Sequence, residues 1–233
     1  MSLRVFAARP LAGEPAILDP DESHYLRRVR RAPDGAELEL IDDHGELWSA
    51  RVRSGDARRS EVDLLAPRVV PAPPRELVLL LGLPEPAAVL ELLPGLIEIG
   101  VATIVWVRCA RSQSGPPGDN RLARVVRAAQ RQCGRPGAPH FVGPVELAAA
   151  PEQRPDLPGF FAWEQRRGLS DDLAPLVGGA RLLIGPEGGL TPAEAATLES
   201  AALRPLGLGP YTLRSGTAAL VGLARLMFAP TAR

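Results

Sequence analysis

The sequence predicts an α/β protein in two parts: a small β-barrel carrying one helix, then a domain whose parallel sheet is covered by helices on both faces. Three observations predict it. Residues 67–75, PRVVPAPPR, carry four prolines, and such a stretch is stiff and extended, as a domain spacer must be. Before it, short segments alternate apolar and polar residues between turn signals, the pattern of half-buried strands. After it, continuous apolar runs alternate with segments of helical period, the pattern of a parallel sheet buried on both faces. The expected domains are residues 1–70 and 71–233.

Taken in order, LRVF, AILD, AELELID, ELWSARVRS and SEVDLLA read as strands, with APDG (32–35) and DDHG (42–45) as turns. One helix starts near Asp19–Asp21 and runs through HYLRRVRR. Beyond the spacer, ELVLLLGL (76–83) is a buried strand, and PEPAAVLELLPGLIEIG a helix interrupted at Pro94. VATIVWV is a strand and residues 119–133 are a helix. GFFAW and ARLLIG (180–185) are strands, TPAEAATLESAAL a helix and LRPLGLG a short strand; a last helix begins near Ser215. Sheets of this kind bind ligands at the carboxyl ends of their strands.

Composition narrows the chemistry. All 27 basic side chains are arginine and none is lysine, against 27 acidic residues. A Schiff-base or P-loop mechanism is therefore excluded, and an anion must be held by Arg, backbone N–H groups or a helix N-terminus. The two cysteines, Cys109 and Cys133, make neither a disulfide framework nor a zinc site and read as buried small hydrophobes. His24, His44 and His140 share no metal or triad spacing, so no metal is expected. The N-terminus lacks a signal-peptide core and no stretch is long and apolar enough to span a membrane, so the reading is a cytoplasmic protein.

Net charge is zero, but its distribution is uneven. Arg27, Arg28, Arg30 and Arg31 crowd into five positions. Residues 108–135 hold seven arginines against Asp119 alone, and Arg121, Arg124 and Arg131 share one helical face. Such a face is either solvated or neutralised by a phosphate backbone. Two islands, one in each part, favour an extended anion such as RNA over a small molecule.

Two glycine-rich loops each follow a strand. In LLIGPEGGLTPAE (182–194), Thr191, Pro192 and Glu194 spell a capping box, so Gly185–Gly189 form the connection. In LGLGPYTLRSGTAAL (206–220), Ser215 or Thr217 can cap the final helix, and Arg214 stands ready to touch a ligand. The two loops are expected to form two walls of one pocket whose backbone reads an adenine edge.

These pieces together resemble the RsmE-type 16S rRNA (uracil-N3) methyltransferase family of the SPOUT superfamily. The matching segments, in order along essentially the whole chain, are HYLRRVRR with its DG turn, IEIGV (97–101), RSQS (111–114), QCGR (132–135), LLIGPEGGLTPAE and LGPYTLRSGTAAL (208–220). The resemblance implies a PUA-like RNA-binding barrel ahead of a parallel-sheet SPOUT methyltransferase domain with a trefoil knot. It implies S-adenosyl-L-methionine as cofactor, contacted by Leu183, Gly185, Gly188, Gly189, Leu208, Gly209, Leu213, Arg214, Ser215 and Thr217. It also implies a homodimer acting on 16S rRNA or the small ribosomal subunit. Arg111 and Arg135 are then candidates to stabilise the uridine anion, and Glu187 is base or loop orienter. The chain departs from the family at Ala88, Gly95, Arg131 and Gly216, and the alternative is a paralogue that binds RNA and cofactor without efficient turnover.

Overall fold

The computed structural model describes residues 2–165 and 173–231. In chain order the first elements are β1 (Arg4–Ala7), β2 (Ala16–Ile17), α1 (Pro20–His24), β3 (Glu37–Asp42), β4 (Leu47–Gly55) and β5 (Ser60–Arg68). Then come β6 (Glu76–Gly82), α2 (Pro86–Glu98), β7 (Thr103–Arg108), α3 (Asp119–Cys133), β8 (His140–Glu146) and β9 (Gly159–Ala162). The chain continues with β10 (Gly179–Ile184), α4 (Pro192–Ser200), β11 (Arg204–Leu206) and α5 (Ser215–Met227). Contacts group into two compact units, residues 1–72 with 127–138, and residues 73–126 with 139–233.

In the first unit the strands form one sheet in the order β1-β3-β4-β5-β2. Alternation does the work: Val5, Leu38, Leu40, Ala50, Val52 and Val62 turn to one side and pack with Leu18 and Leu26. Asp19 caps α1, its carboxylate accepting the Glu22 N–H at 2.8 Å. The helix expected through residue 31 does not stay α-helical. At Tyr25 it widens into a π-helical turn, Tyr25–Val29, closed by Arg30 N–H on the Tyr25 carbonyl, and it ends at Arg31 with φ +52°. Arg27 fastens this exit, donating to the Ala32 carbonyl at 2.9 Å, to Ser60 Oγ at 3.1 Å and to Asp34 at 2.6 Å.

The last turn of α3 belongs to this unit. Arg4 donates to the carbonyls of Arg131 and Gln132, placing a cation where the helix dipole is negative. Gly134 follows with φ +82°, and a Cβ there would lie 2.7 Å from the Arg4 guanidinium. Arg131 lies across Phe6 and Tyr25 and pairs with the buried Glu22 carboxylate at 2.5 Å.

In the second unit all strand pairs are parallel, in the order β11-β9-β10-β6-β7-β8. Every residue of β10 is buried, as are six of the seven in β6, because both strands are central and covered on both faces. On one face Val78, Leu80, Val105, Phe161 and Leu183 pack with Ala195 and Leu198 of α4. On the other, α5 comes close enough that a Cβ at Gly222 would meet Leu182 at 2.6 Å. Pro94 does not interrupt α2 as expected; the helix runs through it, held by the buried row Val89, Leu92, Leu93, Leu96 and Ile97. Gly95 sits where α2 meets α5, and a Cβ there would meet Leu220 at 2.9 Å. β8 has no counterpart in the sequence reading: it is an exposed edge strand interrupted by Gly143–Pro144, so neither alternation nor an apolar run marks it. Among the described residues no helix is long and apolar enough to cross a membrane.

The Arg131–Glu22 pair generates a prediction. Burial pushes the Glu22 carboxyl above its ordinary pKa, against the pull of Arg131 and the Phe6 N–H. Removing the cation leaves a buried carboxylate unpaired, which costs about 3 kcal/mol. A raised acid pKa means the folded state holds the proton more tightly, so stability falls as pH climbs from the ordinary carboxylate range through the raised value. Arg131→Ala is expected to lower the urea midpoint strongly at pH 7.5 and less at pH 5; an equal loss at both would refute the pairing as the cause.

Candidate active site

A cavity of about 980 Å³ opens in the second unit at the carboxyl ends of β6, β9, β10 and β11. Ile184 closes β10, and the chain then has to turn out of a fully buried strand. Gly185, Pro186, Glu187, Gly188, Gly189 and Leu190 make that turn and line one wall. Gly189 has φ +70°, a backbone state in which a side chain is strained, and a Cβ there would lie 3.0 Å from Glu164 Oε1. The loop ends in the expected capping box: Thr191 Oγ1 accepts the Glu194 N–H, Glu194 accepts the Thr191 N–H at 2.7 Å, and Pro192 opens α4.

The opposite wall is the second glycine loop. Leu208, Gly209, Leu213, Arg214, Ser215 and Thr217 all line the cavity, so it brings together the two loops read from sequence. Leu183 is placed differently from its neighbours: it is fully buried within β10, in the core beneath α4, and is not part of the cavity wall. Neither Ser215 nor Thr217 caps α5. Its N-cap is Arg214, which makes no side-chain cap hydrogen bond. That leaves the positive end of a 13-residue helix open at the cavity rim for a carboxylate or similar anion.

Further walls come from residues the sequence reading did not single out: Glu91 and Leu92 of α2, then Trp163 and Glu164 after β9. The strand before Trp163 is legible, but its place beside β10 is a matter of sheet order, which local pattern does not carry. Among the described residues the buried Trp163 indole N–H has no hydrogen-bond partner. Among the described residues the wall carries three carboxylates, Glu91, Glu164 and Glu187, and one guanidinium, Arg214, so it suits a ligand carrying positive charge.

Beside the glycine loop lies the turn after β7. Ser112 closes it on Cys109, and Arg111 Nη1 donates to the Gly188 carbonyl at 2.5 Å. Glu194 reaches across, its Oε1 accepting the Ala110 N–H at 2.7 Å. Burial acts to raise the Glu194 pKa, but the N–H groups of Thr191 and Ala110, the Thr191 hydroxyl and the Arg111 charge outweigh it and hold the carboxyl below its ordinary range. Glu187 is exposed and accepts the Glu85 N–H at 3.3 Å. Arg135, the other arginine candidate, is partly buried in the first unit.

Of the expected phosphate contacts, Arg28, Arg30, Arg31, Arg121 and Arg124 are exposed. Arg27 and Arg131 are instead engaged inside the first unit, as described above. Cys109 is buried, and burial pushes its thiol up to about 12; Cys133, expected to be buried, is exposed in the last turn of α3. Among the described residues no group of three His, Cys, Asp or Glu could hold a metal ion.

Comparison with known proteins places these features in context. An RNA methyltransferase domain family matches residues 71–227, and an RNA methyltransferase PUA domain family matches residues 18–65. Ribosomal RNA small subunit methyltransferase E of Mycobacterium bovis is 30% identical over 226 residues, covering 92% of this chain and 86% of that protein. A solved ribosomal RNA small subunit methyltransferase E from Neisseria gonorrhoeae, bound to S-adenosyl methionine, superposes with TM-score 0.84 at 24% identity over 96% of each chain. A Legionella pneumophila methyltransferase structure in complex with the cofactor SAM gives TM-score 0.86 at 21% identity over 97% of each chain. The fold shared with these structures is a parallel α/β domain preceded by a PUA-like domain, as the sequence resemblance implied.

Gly189 and Gly115 make a paired test of the cavity loop. Gly189→Ala meets both a positive φ and Glu164, and should cost about 1–3 kcal/mol in urea unfolding. Gly115→Ala meets nothing within 4 Å and should stay within about 0.5 kcal/mol of the parent. Equal effects at the two sites would show that the loop is not built as described.

Proposed function

We propose that this chain, which belongs to the RNA methyltransferase family of the ribosomal RNA small subunit methyltransferase E proteins, transfers a methyl group from S-adenosylmethionine to N3 of a uridine in small-subunit ribosomal RNA. The observation that carries the reading is the cavity: two glycine loops from the carboxyl ends of β10 and β11, an open helix N-terminus and an acidic wall, all in one hollow of about 980 Å³.

The residues present fit the cofactor. Backbone of Gly185–Gly189 and Leu208–Gly209 can approach a flat heterocycle closely, with Ile184, Leu206 and Leu213 as apolar bed. The α5 N-terminus and Arg214 suit its carboxylate, and the carboxylates of Glu91, Glu164 and Glu187 suit its ammonium and sulfonium charges. Trp163 has an indole N–H to give. Bound there, S-adenosylmethionine supplies an electrophilic methyl on sulfur. What the chain must add is orientation, removal of the N3 proton, and stabilisation of the negative charge this leaves on the uracil carbonyls.

Arg111 is the residue for that charge. It is exposed, always cationic, and already anchored at the rim of the cofactor loop through Gly188. Arg135 is the second candidate, by resemblance. Glu187 acts as an orienter: its bond to the Glu85 N–H ties the glycine loop to the start of α2. Arg28, Arg30 and Arg31 in one unit and Arg121 and Arg124 in the other are the cations left to bind RNA phosphates. The protein acts in the cytoplasm as a homodimer.

Two measurements test this reading. Incubated with labelled S-adenosylmethionine and unmethylated small subunits, the protein is expected to place label on a uridine N3; cofactor binding without transfer would overturn the reading. Arg111→Ala is expected to slow transfer about 100-fold while changing the cofactor dissociation constant less than about threefold. Unchanged turnover would remove Arg111 from the mechanism.

A further inference from the structure

Glu194 has a second job that its place in a capping box does not explain. A capping box needs one oxygen of the third helical residue, for the N-cap N–H, and glutamine serves as well as glutamate. Here Oε2 does that work, accepting both the Thr191 N–H at 2.7 Å and the Thr191 hydroxyl at 2.9 Å. Oε1 leaves the helix and accepts the Ala110 N–H at 2.7 Å, 84 residues away in sequence. Both oxygens therefore face N–H donors, a demand that a carboxylate meets and a carboxamide does not.

The segment held in this way is the one that carries Arg111. Its turn is closed locally, Cys109 N–H donating to Ser112 Oγ and Ser112 N–H to the Cys109 carbonyl. Beyond it side-chain packing is sparse: a Cβ at Gly115 or Gly118 would meet nothing within 4 Å. Among the described residues the hydrogen bonds between this turn and the cofactor loop or its helix are the Ala110–Glu194 bond and the bond from Arg111 to the Gly188 carbonyl. Packing supports the second, since a Cβ on Gly188 would lie 3.1 Å from Arg111 Cβ.

We propose that Glu194 is a positioning residue for methyl transfer: one carboxylate sets the end of the cofactor loop with one oxygen and the Arg111 turn with the other, so the two sides of the reaction are aligned by a single side chain. The proposal rests on the role of Arg111 given above. The bridge needs the charged form, which is held to lower pH than an ordinary carboxyl. A depressed acid pKa makes the bridge present above the ordinary carboxylate range and lost only as pH falls through the lowered value.

The test is a crossed set of variants, read by turnover on small subunits, cofactor binding by calorimetry, and melting temperature. Glu194→Gln keeps the cap but turns an NH2 toward the Ala110 N–H. It is expected to lower kcat about tenfold, with cofactor affinity within about threefold and the melting temperature within a few degrees, about the effect of one weak surface bond. Thr197→Ala is the control: it loses a hydroxyl bond elsewhere in α4, to the Ala193 carbonyl, and keeps turnover. In an Arg111→Ala background, Glu194→Gln should cost nothing more, because both act through one group. Wild-type turnover in Glu194→Gln while Arg111→Ala is slow would overturn this proposal and leave the Arg111 assignment standing. Independent, multiplicative losses in the double variant would overturn it as well. Wild-type turnover in Arg111→Ala would remove the assignment and this proposal together.

Discussion

The cavity depends on one constraint, that β10 is hydrogen-bonded in parallel on both edges, to β6 and to β9. A strand so placed has no exposed residue, and at its end every backbone group must find a partner outside the sheet within a few residues. Entry is tight too: a Cβ on Gly179 would lie 2.3 Å from the Glu76 carbonyl, so the strand begins as glycine where it passes β6. Exit is handled by Gly185–Gly189 and then by the Thr191–Glu194 box, which takes up the first N–H groups of α4. Because the sheet is parallel, the exits of β6, β9, β10 and β11 all fall on one edge. The pocket follows from that polarity, with each loop adding one wall.

An all-arginine complement of cations shapes the rest. Several arginines serve as internal fasteners, which a lysine ammonium does poorly because it cannot fork. Arg75 is buried and donates to the carbonyls of Leu226 and Met227 at the end of α5, and to Leu176 and Pro230. Arg4, Arg27 and Arg131 do comparable work in the first unit. The zero net charge therefore conceals two populations: cations spent on carbonyls and buried carboxylates, and cations such as Arg121 and Arg124 left on the surface. A count of basic residues in a stretch does not separate them, since Arg27 and Arg28 are adjacent and belong to opposite groups.

Sequence pattern was a good guide where one local rule decided the outcome. The apolar runs of β6 and β10, the alternation of β3 and β4 and the Thr191 capping box are each fixed within a few residues, and each appears where local chemistry puts it. It was a poor guide where a distant partner decided. α2 continues through Pro94 because its buried row holds it. β8 exists because β7 offers an edge. At the site, the glycine loops were legible from spacing, whereas Glu91, Trp163 and Glu164 join the wall through strand order and helix placement. Local pattern carries neither.

The same distinction bears on the four positions that the sequence resemblance sets apart, Ala88, Gly95, Arg131 and Gly216. At Gly95 the space where α2 meets α5 is occupied by Leu220. At Arg131 the charge is met by Glu22, buried and 2.5 Å away. These two are local exchanges with their partners visible, and neither lines the cavity. Ala88 and Gly216 do line it. Both leave the wall with little side-chain bulk, and Glu91 lies on the same face of α2 as Ala88, three residues on. A wall open at these positions and showing a carboxylate suits a ligand carrying positive charge, and both glycine loops, the open α5 N-terminus and the Glu194 bridge stand beside it.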